Sequence, residues 1–185
     1  MPSGYRSAEE PDTISIPIPS DMRTLEEFEK WLHDEIVMSD DTLCDEYWGI
    51  FTTEGQLVIC GYIPGPKPSH RMTREESALA RGNIMSHNHP SGFPFSFFEI
   101  PVAADLNLHE SRVITREWLY SIAPNPRDGR WPSPCEISRV QDEITADISL
   151  SFPITHNDSN PECIHQRYKI LAERAGFDYS REAIA

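Results

Sequence analysis

The chain has 185 residues, 38% of them hydrophobic and 10% aromatic, an ordinary globular composition with enough length for one sizeable core. Its formal net charge of −14 argues against a surface that tracks phosphates, so composition alone disfavours nucleic acid as a partner. No apolar run approaches the ~20 residues that span a bilayer, and the N-terminus lacks a basic-then-apolar signal pattern. The expectation is a cytoplasmic protein with no membrane partner, with delivery as a secreted effector or toxin left open.

In chain order, residues 1–20 are rich in Pro, Ser and Glu and read as a flexible tail, with Ile16-Pro17-Ile18-Pro19 able to lie along a surface as an extended arm. A helix is predicted over about 24–38, where Thr24 and Glu27 make a capping-box pattern and Leu25, Phe28, Leu32 and Ile36 form one apolar stripe. Two strands, 47–52 and 56–62, flank the turn Thr53-Glu54-Gly55. Pro64-Gly65-Pro66-Lys67-Pro68 is a loop by chain stiffness. Thr73 with Glu76 opens a second helix to about Arg81, and Gly82 stops it. A short strand at 83–86 follows, then a helix from Ser96 and Glu99 to about Glu110, then strand or hairpin over 112–122. The stretches 136–149 and 161–175 read as two more helices, expected to pack around the domain and shape a cleft. The sum is an α/β domain over 21–185, a mixed sheet flanked by helices, with a helical C-terminal extension at about 134–180.

Cys44, Cys60, Cys135 and Cys163 are widely separated and lack Cys-x-x-Cys spacing, so they are expected as free thiols and not as a metal site or redox dithiol. The chemistry concentrates at His87-Asn88-His89-Pro90-Ser91-Gly92, followed by Ser96-Phe97-Phe98-Glu99. Two imidazoles one residue apart on an extended strand point to the same side, so both reach one metal ion if a carboxylate closes the site. Glu99 can supply it. Zinc with three protein ligands keeps a position for water and lowers its pKa, so such a site hydrolyses where a four-ligand site only holds structure. A competing role exists for Glu99, because Ser96-x-x-Glu99 is also a capping box that returns the carboxylate to the backbone. Pro101, without an N–H, is expected to disturb that first turn, and Asp105 is the alternative carboxylate. His33, His70, His109, His156 and His165 share no ligand spacing and default to surface roles. Trp48, Phe93, Phe95, Phe97 and Phe98 read as core and cleft wall, with the aromatic loop 93–98 well placed to grip an extended peptide.

The His-x-His-Pro and Ser-x-x-Glu pattern resembles the JAMM (MPN-plus, JAB-domain) zinc metalloproteases, and His87 to Gly92 is most similar to the bacterial RadC-like and toxin- or phage-associated branches. Glu46-Tyr47-Trp48-Gly49-Ile50-Phe51 is similar to the Glu-x-x-Gly-hydrophobic opening strand of that family, and Arg112 to Thr115 with Leu119 to Ile122 looks like the strands after its metal-ligand helix. The resemblance covers roughly 43–125. It implies a JAMM-like domain in which His87, His89 and Glu99 hold Zn(2+), Glu46 is the general acid/base, and the Ser96 hydroxyl donates to the oxyanion. Asp45 and Glu54 are acidic neighbours of Glu46, but Gly49 and the apolar Ile50-Phe51 favour Glu46. Two departures are visible: His89 to Ser96 is one residue shorter than the RadC-type loop, and Glu99 stands where the family has Asp. The function implied is hydrolysis of a peptide or lysine-isopeptide bond, with a peptide or ubiquitin-like protein as partner. The alternatives are a non-catalytic MPN-like interaction module and a RadC-like protein associated with DNA repair or mobile elements.

Overall fold

A computed structural model describes residues 17–38, 45–63, 72–89, 92–151 and 161–184. The expected tail up to residue 16, the Pro-rich loop at 64–68, Cys44, His70, His156, Pro90, Ser91 and the Ile36 side chain lie outside the described residues. The described chain is α/β, a six-stranded mixed sheet with five α-helices in one domain. Among the described residues no helix is long and apolar enough to cross a membrane.

The first helix, α1 (Leu25–Trp31), begins at the capping box read in the sequence: Glu27 N–H donates to Thr24 Oγ1 at 3.3 Å, and Thr24 N–H donates to Glu27 Oε2 at 3.0 Å. The helix does not continue as α to residue 38, because Leu32–Val37 winds as a π-helix. Strands β1 (Glu46–Phe51) and β2 (Leu57–Ile63) form an antiparallel pair, and α2 (Arg74–Ala80) opens on a second capping box at Thr73 and Glu76. Strand β3 (Ile84–Asn88) runs two residues further than expected, so that His87 belongs to the strand itself.

Helix α3 (Glu99–Asp105) is shorter than the run to Glu110 predicted for it. Asn107 takes φ +48 and ends the helical path, and β4 (Glu110–Ile114) starts almost at once. Pro101 does not break α3, since it lies in the first turn, where a backbone N–H has no intrahelical acceptor. After β5 (Trp118–Ala123) come α4 (Pro134–Ser151), with Ser133 Oγ accepting from Glu136 N–H at 3.2 Å, and α5 (Pro161–Ala175). Both helices start on Pro, whose missing N–H costs nothing there. Gly176 at φ +86 stops α5, and a sixth strand, β6 (Asp178–Ala183), pairs with β5 along its full length. The C-terminal part is therefore not only helical, because its last segment completes the sheet.

The sheet order is β2-β1-β3-β4-β5-β6. Only β3 and β4 are parallel, joined through α3, and the other neighbours are antiparallel. Strand alternation splits the core into two layers. On one face Met22, Leu25, Phe28, Leu32, Tyr47, Phe51, Ile84 and Ile114 pack under α1. On the other, Trp48, Ile50, Val113, Tyr120 and Ile122 meet Ala103 of α3, Ile137 and Val140 of α4, and Tyr168 and Leu171 of α5. Gly49 is where the first layer closes tightest: a Cβ there would stand 2.6 Å from the Phe51 ring and 3.3 Å from that of Phe28. Fully burying one such ring contributes about 1.5–3 kcal/mol.

Candidate metal centre

Antiparallel pairing of β1 with β3 sets Trp48 opposite His87, so both side chains leave the same face of the sheet, and Glu46 and His89 follow at the period of two. Glu99, the first residue of α3, closes over this end of β3. The structure thereby brings Glu46, His87, His89 and Glu99 together, with one potential ligand atom of each lying within 4.8 Å of the others. Asp105, the alternative carboxylate, is exposed at the far end of α3 and is no member of the group. Asp45 and Glu54 are outside it too: Asp45 is fully buried, and Glu54 is exposed in the β1–β2 turn.

The inner contacts are short. His87 Nε2 and His89 Nε2 stand 3.0 Å apart, and Glu99 Oε1 is 2.8 Å from the first and 3.1 Å from the second. The tautomer of His89 follows from its partners. Its Nδ1 lies 3.0 Å from the Phe93 carbonyl and 2.9 Å from that of Pro94; carbonyls only accept, so Nδ1 carries a hydrogen, and in the neutral ring Nε2 keeps the lone pair. This is the arrangement by which an outer carbonyl orients a metal-ligating imidazole. His87 is 2% exposed, and its Nδ1 is buried without a hydrogen-bond partner among the described residues.

Glu99 Oε1 and, in the neutral ring, His89 Nε2 present lone pairs, and His87 Nε2 does so as well in its Nδ1–H tautomer; a cation between them then satisfies all three. A proton is the smallest that serves. Burial disfavours charge on His89, but the hydrogen bond and charge of Glu99, with the charge of Glu46, push the imidazole up to about 9. Burial likewise opposes the charged form of Glu99, yet the two histidines hold its carboxyl well below the usual carboxylate range. A metal ion can take the same place. Two donors each about 2.1 Å from one tetrahedral ion lie roughly 3.4 Å apart, so these atoms need to spread by only a few tenths of an ångström.

The competition between capping and coordination is resolved by dividing the carboxylate. Glu99 Oε2 accepts from the Ser96 backbone N–H, while Oε1 faces the histidines. The backbone contact orients the carboxylate and leaves Oε1 facing the histidines. Ser96 is exposed and precedes the helix without capping it, since α3 starts at Glu99 with no side-chain cap.

Three further residues fix the surroundings, and none was singled out from sequence. The Tyr168 hydroxyl of α5 donates to the Phe95 carbonyl, and Gln141 Nε2 of α4 donates to the Phe97 carbonyl at 3.0 Å, so the two C-terminal helices pin the loop that carries Ser96. Asn88 is the third, between the two histidines and 1% exposed. Its position alternates away from theirs, the one local signal that it serves something else. Of the aromatics, Trp48 and Phe95 are core, whereas Phe97 and Phe98 are 51% and 84% exposed beside the site. Trp48 spreads across β2 at Gly61, where a Cβ would stand 2.8 Å from the indole. His165 is half-buried with Nδ1 2.9 Å from the Tyr179 hydroxyl, His33 is half-buried against the Arg116 carbonyl, and His109 is exposed. Cys60 is a half-buried free thiol, and Cys135 and Cys163 are exposed free thiols.

No family model matches this chain, and comparison with curated proteins and with solved structures finds no significant match. The functional reading rests on the site.

Proposed function

We propose that this chain is a JAMM-type zinc-dependent peptidase or isopeptidase in which His87, His89 and Glu99 hold the metal and Glu46 is the general acid/base. The observation that carries the reading is Glu46: a second carboxylate, on a strand separate from the proposed ligands, inside the same 4.8 Å group. Two imidazoles and one carboxylate suit zinc and several other divalent ions. A carboxylate base beside them is what hydrolysis adds. Zinc held there would supply Lewis acidity, lowering the pKa of a water so that hydroxide is available near neutral pH and polarising the scissile carbonyl.

The remaining work falls to side chains. Glu46 accepts the proton of the attacking water and delivers it to the departing amine, which completes the cleavage of the C–N bond without a free amide anion. The Phe93 and Pro94 carbonyls hold the His89 ring by its Nδ1 hydrogen, and the Ser96 N–H holds the Glu99 carboxylate, so both ligands are oriented before a substrate arrives. The Ser96 hydroxyl, by its resemblance to the family serine, donates to the developing oxyanion. A peptide bond and a lysine-isopeptide bond, including one to a ubiquitin-like protein, present the same carbonyl to this chemistry.

The test is zinc reconstitution followed by incubation with peptide and isopeptide-linked libraries, read by mass spectrometry, for the parent and Glu46→Gln. The parent is expected to cleave, and Glu46→Gln to keep its zinc and lose roughly 100- to 10,000-fold in kcat, the usual contribution of a positioned base. Absence of zinc binding by the parent rejects the metal centre. Zinc binding without cleavage of either linkage leaves the non-catalytic interaction module as the better reading.

A further inference from the structure

The backbone ladder between β1 and β3 pairs Phe51 with Ile84, Ile50 with Met85, Gly49 with Ser86 and Trp48 with His87, and goes no further. Glu46 lies two residues beyond its end. At that point β1 is held to β3 by a side chain. Asn88 Oδ1 accepts from the Tyr47 backbone N–H at 2.6 Å, and Asn88 Nδ2 donates to the Asp45 carbonyl at 3.1 Å. The two partners are the residues immediately before and after Glu46. One buried amide therefore grips the backbone on both sides of the proposed base, from the last residue of β3, between His87 and His89.

The chemistry of the grip admits few substitutes. A backbone N–H only donates and a carbonyl only accepts, so the amide orientation is set by its partners. An aspartate in the same place offers two acceptors and meets the Asp45 carbonyl with a like dipole. Alanine leaves a buried N–H and a buried C=O without this partner.

We propose that Asn88 is a positioning residue for Glu46: it fixes the distance between the carboxylate and the His87, His89, Glu99 trio by bridging β3 to β1 where the ladder stops. Its effect on turnover rests on the hydrolytic reading above, whereas its effect on the placement of Glu46 does not. Because Asn88 points away from the ligands, its loss acts on the base and spares the metal.

The experiment compares Asn88→Ala and Asn88→Asp in the parent and in the Glu46→Gln background. Zinc affinity, from chelator competition, is expected to stay at the parental value. In the active parent kcat should fall roughly 10- to 100-fold, the usual range for a group supporting a metal site from behind, with KM unchanged. In the Glu46→Gln background the same substitution should cost no further activity, because there is no base left to misplace. An equal fall in both backgrounds overturns the proposal, since a general weakening of the fold does not depend on Glu46. A second readout needs no turnover: the side-chain carboxyl carbon of Glu46, labelled with 13C, should shift on zinc addition in the parent and respond less in Asn88→Ala. A full parental response in that variant overturns the proposal, even for a protein that binds zinc and cleaves nothing. If Asn88→Ala does not fold, Asn88→Asp, which keeps the acceptor for Tyr47, supplies the same comparisons.

Discussion

Strand β3 carries two clusters of ionisable groups on its two faces, starting from adjacent residues, and they are built on opposite plans. On the α1 face, Ser86 Oγ donates to Glu29 Oε1 at 3.0 Å, and Arg112 donates to Glu29 Oε2 at 3.1 Å and to Glu110 Oε2 at 3.2 Å. Here donors meet acceptors and a cation lies between anions, with Arg112 Nε 3.0 Å from Glu110 Oε1. On the other face His87 Nε2, His89 Nε2 and Glu99 Oε1 converge within 3.1 Å, with Glu46 close by. That arrangement favours a cation at its centre, a proton or a metal ion. The difference separates a structural ion pair from a site: both perturb pKa values, but only the second leaves a place to be filled.

The sharpest way to break the contrast is to remove ligands from one side and charges from the other. His87→Ala or His89→Ala should weaken zinc binding by more than about 100-fold, beyond the range for groups that merely support a ligand. Arg112→Met should leave zinc affinity where it was. Chelator competition decides both, and parental affinity in either histidine variant would remove that residue from the ligand set.

Stability should respond in the reverse order. Arg112→Met leaves Glu29 with the Ser86 hydroxyl as its donor and Glu110 as a like charge, and with both side chains partly exposed the expected cost is about 1–3 kcal/mol, below the ~3–5 kcal/mol typical of a fully buried pair. Its pH dependence has a definite sign. Burial, the largest influence, already holds the Glu29 carboxyl above its usual range despite Arg112, and removing the guanidinium raises it further. A carboxyl raised in the folded state binds its proton more readily there than in the unfolded chain, so stability is full below the unfolded pKa and falls as pH rises through the folded one. Denaturant midpoints should show the variant's deficit growing from acid toward neutral pH. A deficit independent of pH would mean that packing, and not the buried charge, is what Arg112 supplies.

The smallest effect tests the C-terminal helices. Tyr168→Phe removes one donor from the Phe95 carbonyl and should cost about 1 kcal/mol, with zinc affinity lowered by roughly 10-fold at most as the loop carrying Ser96 loosens. A calorimetric titration that finds no change in either quantity would show that Gln141 holds the loop alone.

Much of this protein is legible locally. Both capping boxes, the alternation that puts His87 and His89 on one side of a strand, and the α/β pattern follow from residues close in sequence, because caps, turns and strand period are set within a few peptide units. The misses are of two kinds. The π-helical turn at Leu32–Val37 and the early end of α3 have no strong local marker, and β6 carries too few apolar residues to advertise a strand that is stabilised by its pairing with β5.

Sequence by itself determined the candidate ligand types, their spacing and the presence of acidic candidates upstream. It left open which oxygen of Glu99 faces the histidines, which of Asp45, Glu46 and Glu54 stands near them, and that Asn88 and Tyr168 hold the surroundings in place. Those were decided by contacts between distant segments: Asn88 reaches Tyr47 across 41 positions and Tyr168 reaches Phe95 across 73. Such contacts depend on which strands pair and which helices dock, and those choices are made by burial summed over the whole chain, where no short window of residues carries the information.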